Sequence, residues 1–336
     1  MRITAKAPCR LDLAGGTIDI WPLYLYHPGA VTVNVAVSRF ANCAVETRPD
    51  NRIVIRSQVR GGEESFGSYE ELCAATSYRV PLVAYLLRFF RPPCGLDIQT
   101  DSEAPLGAGI AGSSTLIIAL VTALNRLTKA GYSLEQLREI SQNIEAQIIR
   151  VPTGSQDYYP AMYGGVSAIE LAVDGIHRRP IQVDPEELNQ RIVLAYTGVP
   201  RNSGINNWEV MKLHIDGNRR VHRNFDQISS IAQAMRGALE RADWTETGRL
   251  LREEWSHRRK NAPGISTPLI DRLVKVTRRA GSMGAKVCGA GGGGCVFFLA
   301  ERGAKERVSS AIEREGATVL PVHVVEKGVR IRVSPV

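Results

Sequence analysis

Residues 96–127 read LDIQTDSEAPLGAGIAGSSTLIIALVTALNRL, and three kinds of local structure meet in that stretch. Leu96 and Ile98 alternate with polar residues up to Thr100, the period-two pattern of a strand with one buried face. Leu116, Ile117, Leu120, Val121, Leu124 and Leu127 then fall on one helical face, so the period has changed. Between the two lie three glycines followed by Ser113, Ser114 and Thr115. Such a run presents bare backbone N–H groups and hydroxyls at the positive end of a helix, which suits a phosphate. Close helix packing is the competing use of the same glycines. Gly107 to Gly112 satisfies the G-x-G-x-x-G spacing of a dinucleotide-binding unit, but the context fails. Six residues (101–106) separate the strand from the first glycine, and the next element is a second helix rather than a strand ending in an acid. No Lys follows the glycines, which excludes the G-x-x-x-x-G-K-[ST] phosphate loop.

Before this stretch, residues 31–37, 43–47 and 52–56 read as strands, the last two flanking a Pro49-Asp50-Asn51 turn, so an antiparallel β layer is expected. After it, Ser133 with Gln136 three residues on is a capping-box signal. It opens a second helix with apolar positions Leu134, Leu137, Ile140, Ile144 and Ile148, which Pro152 and Gly154 stop. Strands follow at residues 164–172 and 191–196, with a turn at Val173-Asp174-Gly175. Residues 218–280 are expected to be mostly helical, broken at Pro263-Gly264. A glycine tract at 287–294, a buried strand at 295–299, a helix at 305–314 and closing strands at 322–333 complete the chain. Strand runs and helix runs are segregated, so the class is α+β rather than a doubly wound parallel sheet. The pattern switch between 172 and 191 divides the chain into units of 1–180 and 181–336.

The 336 residues are 44 % hydrophobic and 23 % charged, ordinary values that exclude disordered and fibrous classes. Lys and Arg exceed Asp and Glu by 42 to 34, a net charge of +8, which permits an anionic partner. The positive residues form no stripe with interleaved aromatics, so no nucleic acid is expected. Runs such as Arg258-Arg259-Lys260 read as solvated helix faces. The six cysteines form no C-x-x-C pair and the six histidines no H-x-x-x-H, so no zinc site is expected. The most apolar run, residues 116–124, is about nine residues long against the roughly 20 that span a bilayer. With no signal peptide at the start, the expectation is a cytoplasmic enzyme with reduced thiols and no membrane partner.

Three further signals accompany the glycine loop in order: APCRLDLAGGTID at 7–19, GSQD at 154–157 and KVCGAGGGG at 286–294. Together the four resemble the GHMP small-molecule kinases, the family of galactokinase, homoserine kinase and mevalonate kinase. The resemblance implies an N-terminal ribosomal-protein-S5-like domain and a C-terminal ferredoxin-like α/β domain, with ATP and Mg2+ as cofactors. It assigns the nucleotide loop to Pro105, Gly107, Gly109, Ala111, Gly112, Ser113 and Ser114. Ala111 and Gly112 stand where the family usually has Gly and Ser, so the loop stays small. Ser114, or Ser113 beside it, matches the serine that reaches the metal, and Glu145 the metal-binding carboxylate. Asp157 matches the catalytic Asp, which orients or deprotonates the attacking hydroxyl. Arg10 matches the cation beside it.

For substrate, the resemblance points to Asp19, Gly16, Thr17 and Gln156, and to Gly291 and Gly292 in the last glycine tract. Asp12 reads as part of a strand end. The run YTGVPRNS at 196–203, with Gly15-Gly16-Thr17-Ile18-Asp19, looks most like the bacterial heptose 7-phosphate kinases and their fucokinase relatives. In that branch the acceptor is the anomeric hydroxyl of a sugar that already carries a phosphate. Arg201 with Ser203 is then expected to hold the distal phosphate, since a guanidinium fork matches it. Lys286 is a lesser candidate for that work. The partner is a small sugar or sugar phosphate, and a homodimer is left open.

Overall fold

The computed structural model describes residues 1–59, 62–200 and 203–335. Its first sheet starts with the long strands β1 (Arg2–Ala14) and β2 (Val31–Thr47), which pair antiparallel along almost their whole length. Pro8 sits inside β1 at a register shift, the place where a missing N–H costs the ladder least. β3 (Ile53–Ser57) and β4 (Gly62–Phe66) form a hairpin. The helices α1 (Tyr69–Ala74) and α2 (Pro81–Phe90) then carry the chain to β5 (Leu96–Ser102). β5 pairs antiparallel with β2 and parallel with β3. The expected all-antiparallel layer is corrected there, because the two helices supply the crossover that a parallel pair needs. The signal for α2 was legible: Pro81 opens it, and Val83, Leu86, Leu87 and Phe90 bury one face.

α3 (Gly112–Thr128) and α4 (Leu134–Ile149) follow, and α4 carries the capping box, with Ser133 and Gln136 exchanging both bonds. A short helix, α5 (Tyr158–Tyr163), precedes the hairpin of β6 (Val166–Ala172) and β7 (Gly175–Ile181). β6 also pairs with the start of β2.

The second sheet takes β8 (Ile192–Tyr196), reached through α6 (Pro185–Asn189). Four helices follow: α7 (Ser203–Ile215), α8 (Arg219–Glu240), α9 (Trp244–Arg258) and α10 (Pro268–Arg279). Then come β9 (Ser282–Val287), β10 (Cys295–Ala300), α11 (Lys305–Arg314) and β11 (Thr318–Leu320). The sheet order is β11-β8-β10-β9, all antiparallel. With helices segregated from both sheets, the class is α+β, as expected.

Of the closing stretch 322–333, only β12 (Arg330–Ser334) is a strand, and it leaves the second half to pair with residues 2–6 of β1. One strand thus crosses the expected cut between 1–180 and 181–336. The two halves also share a core. Leu11, Val33 and Val35 of the first sheet pack in one cluster with Ile231 and Met235 of α8 and with Leu194, Phe297 and Leu299 of the second sheet. Burying such side chains contributes about 1.5–3 kcal/mol each, so neither half is complete alone. The cleft lies along the seam between them.

Candidate active site

A cleft of about 660 Å3 is lined by the 104–114 loop, by Arg10, Thr17 and Asp19, by Glu145, Gln156 and Asp157, and by Arg258, Gly289 and Ala290 from the second half. The loop is clamped from both sides. Arg10 donates its backbone N–H to Ile110 O at 3.1 Å and its Nη1 to Gly109 O at 2.8 Å. Cys295 N reaches Ala108 O at 2.7 Å from β10. Ala111 caps α3 at φ 66° without a side-chain cap bond. That left-handed geometry costs a residue with a Cβ about 1–2 kcal/mol and is the geometry a glycine would take freely. Among the described residues no side-chain cap bond engages the helix start, so its first N–H groups are left for an anion.

Ser113 and Ser114 both turn to one carboxylate. Ser113 Oγ donates to Glu145 Oε1 at 2.5 Å, Ser114 Oγ to Oε2 at 2.9 Å, and Tyr158 Oη to the same Oε2 at 2.6 Å. Glu145 is buried, and burial raises its pKa against the three hydroxyl donors that favour the charged form. Each serine thus bonds one oxygen of the same carboxylate. This cluster offers only oxygen donors, the set a hard divalent cation such as Mg2+ selects, and a cation there would offset the desolvation of Glu145. The residues fit the metal.

Across the cleft, Arg10 donates Nε and Nη2 to Asp157 Oδ1, at 2.9 and 2.5 Å. Arg10 is almost fully buried, while the Asp157 side chain keeps a quarter of its surface. Burial opposes the Arg10 charge, but Asp157 and Asp12 outweigh it, so its pKa is raised and it stays a fixed cation. Both bonds fall on Oδ1, which leaves Oδ2 as the oxygen to meet a hydroxyl. Asp157 occupies the N-cap position of α5 without spending its side chain on the cap.

Asp19 is buried beside it. It accepts from the Gln156 backbone N–H at 2.9 Å and from Gln156 Nε2 at 3.5 Å. Burial, the largest influence, pushes its pKa up to about 6. Thr17 joins it at the cleft wall. Other expected residues are placed differently. Gly16 is packed beneath the wall, where a Cβ would meet Asp12 Oδ2 at 2.1 Å and Arg258 Nη2 at 2.4 Å. In the last glycine tract Gly289 and Ala290 face the cleft, whereas Gly291 abuts Ile265 and Gly292 N donates to Ile265 O at 2.9 Å. Gly291 and Gly292 thus hold the tract rather than line the cleft. Arg201 lies outside the described residues, as does the side chain of Ser203.

Lys286 is not at the cleft. It is fully buried and donates to Asp12 Oδ1 at 3.0 Å and to Glu254 Oε1 at 2.9 Å. Arg258 completes the group, with Nε on Glu254 at 3.0 Å and Nη2 3.2 Å from Asp12 Oδ2. Asp12 is thus the centre of a buried ionic network, not merely a strand end. Burial alone would raise its pKa; Lys286 and then Arg258 overcome that and hold it low. Arg258, read from sequence as a solvated face, is buried, lines the cleft and donates Nη1 to Gly289 O at 2.9 Å. Its only local signal was Glu254 four residues earlier. Pro200, in the run 196–203 singled out from sequence, and Asn207, which no sequence signal marked, also reach the cleft.

Residues 77–165 match the model of the GHMP kinases N terminal domain, and residues 235–318 that of the GHMP kinases C terminal. The D-glycero-alpha-D-manno-heptose 7-phosphate kinase of Campylobacter jejuni is 25 % identical over 342 residues, covering 98 % of both chains. The L-fucokinase/L-fucose-1-P guanylyltransferase of Bacteroides fragilis is 24 % identical across 89 % of this chain and 34 % of its own. Among solved structures, a D-glycero-D-manno-heptose 1-phosphate kinase from Bacteriodes thetaiotaomicron superposes with a TM-score of 0.80 at 23 % identity. It covers 99 % of this chain and 100 % of its own.

Proposed function

Because the chain belongs to the GHMP kinase family, we propose that it transfers the γ-phosphoryl group of ATP to a sugar hydroxyl, the acceptor being the anomeric O1 of D-glycero-D-manno-heptose 7-phosphate. One observation carries the reading: Asp157, held through one oxygen by the buried Arg10, faces the same cleft as the start of α3. Asp157 Oδ2 accepts the proton of the acceptor hydroxyl, whose oxygen forms a bond to the γ-phosphorus as the bond to the ADP oxygen breaks. Arg10 keeps Asp157 oriented and Gly109 in place together. The loop N–H groups from Gly107 to Ser114 receive the triphosphate. Ser113, Ser114 and Glu145 would hold Mg2+, which when bound neutralises phosphate charge. Apolar walls from Val59, Val80, Leu82 and Ile149 at one end of the cleft suit a base.

Asp19 and Gln156 receive sugar hydroxyls, and Pro200 and Asn207 also line the cleft. The likeness to a heptose 7-phosphate kinase supports Arg201 and Ser203 as the holders of the distal phosphate. The likeness to a fucokinase keeps an unphosphorylated sugar as the second reading. ADP release with heptose 7-phosphate, fucose, galactose and mevalonate as separate acceptors separates the two. The heptose phosphate is expected to give the highest kcat/KM, with Arg201→Ala raising KM for it alone. Turnover of fucose or galactose in its place, indifferent to Arg201→Ala, overturns the substrate while leaving the kinase.

A further inference from the structure

Three of the six histidines converge outside the cleft: His27, just after the turn at Leu23–Tyr26, His214 near the end of α7, and His222 in the first turn of α8. One ring nitrogen from each lies within 4.8 Å of the others, with His27 and His214 buried and His222 half-buried. From these positions we propose that His27, His214 and His222 form a binding site for a divalent metal of the zinc type.

The hydrogen bonds leave the lone pairs where a metal needs them. His27 Nδ1 donates to Asp226 Oδ1 at 2.7 Å, which fixes the tautomer and leaves Nε2 with its lone pair. That carboxylate–histidine pair is the usual support behind a metal-bound imidazole. His27 Nε2 shares a hydrogen bond of 2.8 Å with His214 Nε2, so a metal between them replaces one proton, which His214 then carries on Nδ1. His222 Nε2 donates to the His214 backbone carbonyl at 2.8 Å, leaving Nδ1 to ligate. Zn–N bonds of about 2.0–2.1 Å at tetrahedral angles need the two Nε2 atoms to part by roughly 0.5 Å and the His222 ring, stacked on His214 at 3.8 Å, to turn its edge toward the metal. Phe225 stacks on His27 at 5.5 Å and closes one side. The Asp226 side chain is 60 % exposed on another, so water can supply a fourth ligand.

Imidazole nitrogens select zinc, nickel or copper over the oxygen-seeking Mg2+ of the phosphoryl chemistry. The site ties the segment that follows Asp19 to α7, which runs from the cleft rim at Asn207.

The test uses the full chain, stripped with a chelator and dialysed against Zn2+ in excess Mg2+. It should take up one Zn2+ per chain with a Kd of about 1 μM or tighter and melt a few degrees higher. His222→Ala should weaken binding at least tenfold. Asp226→Asn, a surface change that keeps all three ligands, should weaken it about 10- to 100-fold. Substituting His177 and His323 should change nothing. Co2+ in place of Zn2+ should give the visible bands of four- or five-coordination without a thiolate charge-transfer band, and this readout on the unmodified chain stands if a variant does not fold. An octahedral Co2+ spectrum, no retained Zn2+, or uptake unchanged by both His222→Ala and Asp226→Asn overturns the proposal.

Discussion

Two ionic clusters grow from β1 two residues apart on the same face of the strand, and they are built to opposite ends. At Arg10 one cation meets one carboxylate, and one oxygen of Asp157 is spared at a surface the cleft can reach. At Asp12 two carboxylates meet two cations, Asp12 and Glu254 against Lys286 and Arg258, all of them sealed from water. The first leaves something undone, and that remainder is available to a substrate. The second cancels its own charge. Its members come from β1, α9 and β9, so it latches the first sheet to the second half and, through Arg258 on Gly289 O, sets the far wall of the cleft. Reactivity and cohesion are separated by a single residue, Leu11.

The sharpest way to break this contrast is to neutralise each cluster in turn. Asp157→Asn keeps an acceptor for Arg10 but removes the base. It should lower kcat by about 10^3- to 10^4-fold while ATP still binds and the melting temperature moves only slightly. Steady-state ADP release checks this, and near-normal kcat would remove Asp157 from the chemistry.

Lys286→Met should do the reverse, because removing one partner of a buried pair strands the other charge. About 3–5 kcal/mol of unfolding free energy should be lost, read by denaturant titration, with kcat of the remaining folded enzyme within a few-fold of normal. A large fall in kcat at unchanged stability would mean that the latch takes part in turnover.

Asp19 lies between these extremes, a buried carboxylate with hydrogen bonds but, among the described residues, no ion pair. Its folded pKa of about 6 lies above its ordinary 3.8, so the folded state binds more protons than the unfolded one between about pH 4 and 6. Stability therefore rises as pH falls through 6, and above it the charged group costs roughly 2–3 kcal/mol. Asp19→Asn should raise the melting temperature at pH 8, and the gain should vanish near pH 4. It should also raise KM for the sugar. A gain of equal size at both pH values would contradict the burial of a charge at this position.

Features set by neighbours in the chain were legible before the fold was known. The α3 face, the Ser133–Gln136 box and the bare glycine run before Ser113 are all local patterns. The meeting of Arg10, Glu145 and Asp157 came from motif order and resemblance, since nothing within a few residues of any of them implies the other two. What stayed hidden depends on partners far along the chain. Lys286 finds Asp12 across 274 positions, and Arg258 sits in a run of like charges whose other members are solvated. Gly291 and Gly292 look identical to Gly289 in sequence; only the backbone of Ile265 distinguishes them. The three histidines show no metal-ligand spacing within one stretch, because His27 is supplied by a different part of the chain from His214 and His222.

The pairing of β12 with the first five residues of β1 has a consequence for how the molecule is made. During synthesis residues 2–6 emerge more than three hundred residues before their outer partner. Until then β1 presents an open edge of N–H and C=O groups, the kind of surface on which strands from other chains assemble. The first half thus stays one strand short while residues 181–329 are made, and a stitch from residues 330–334 completes it.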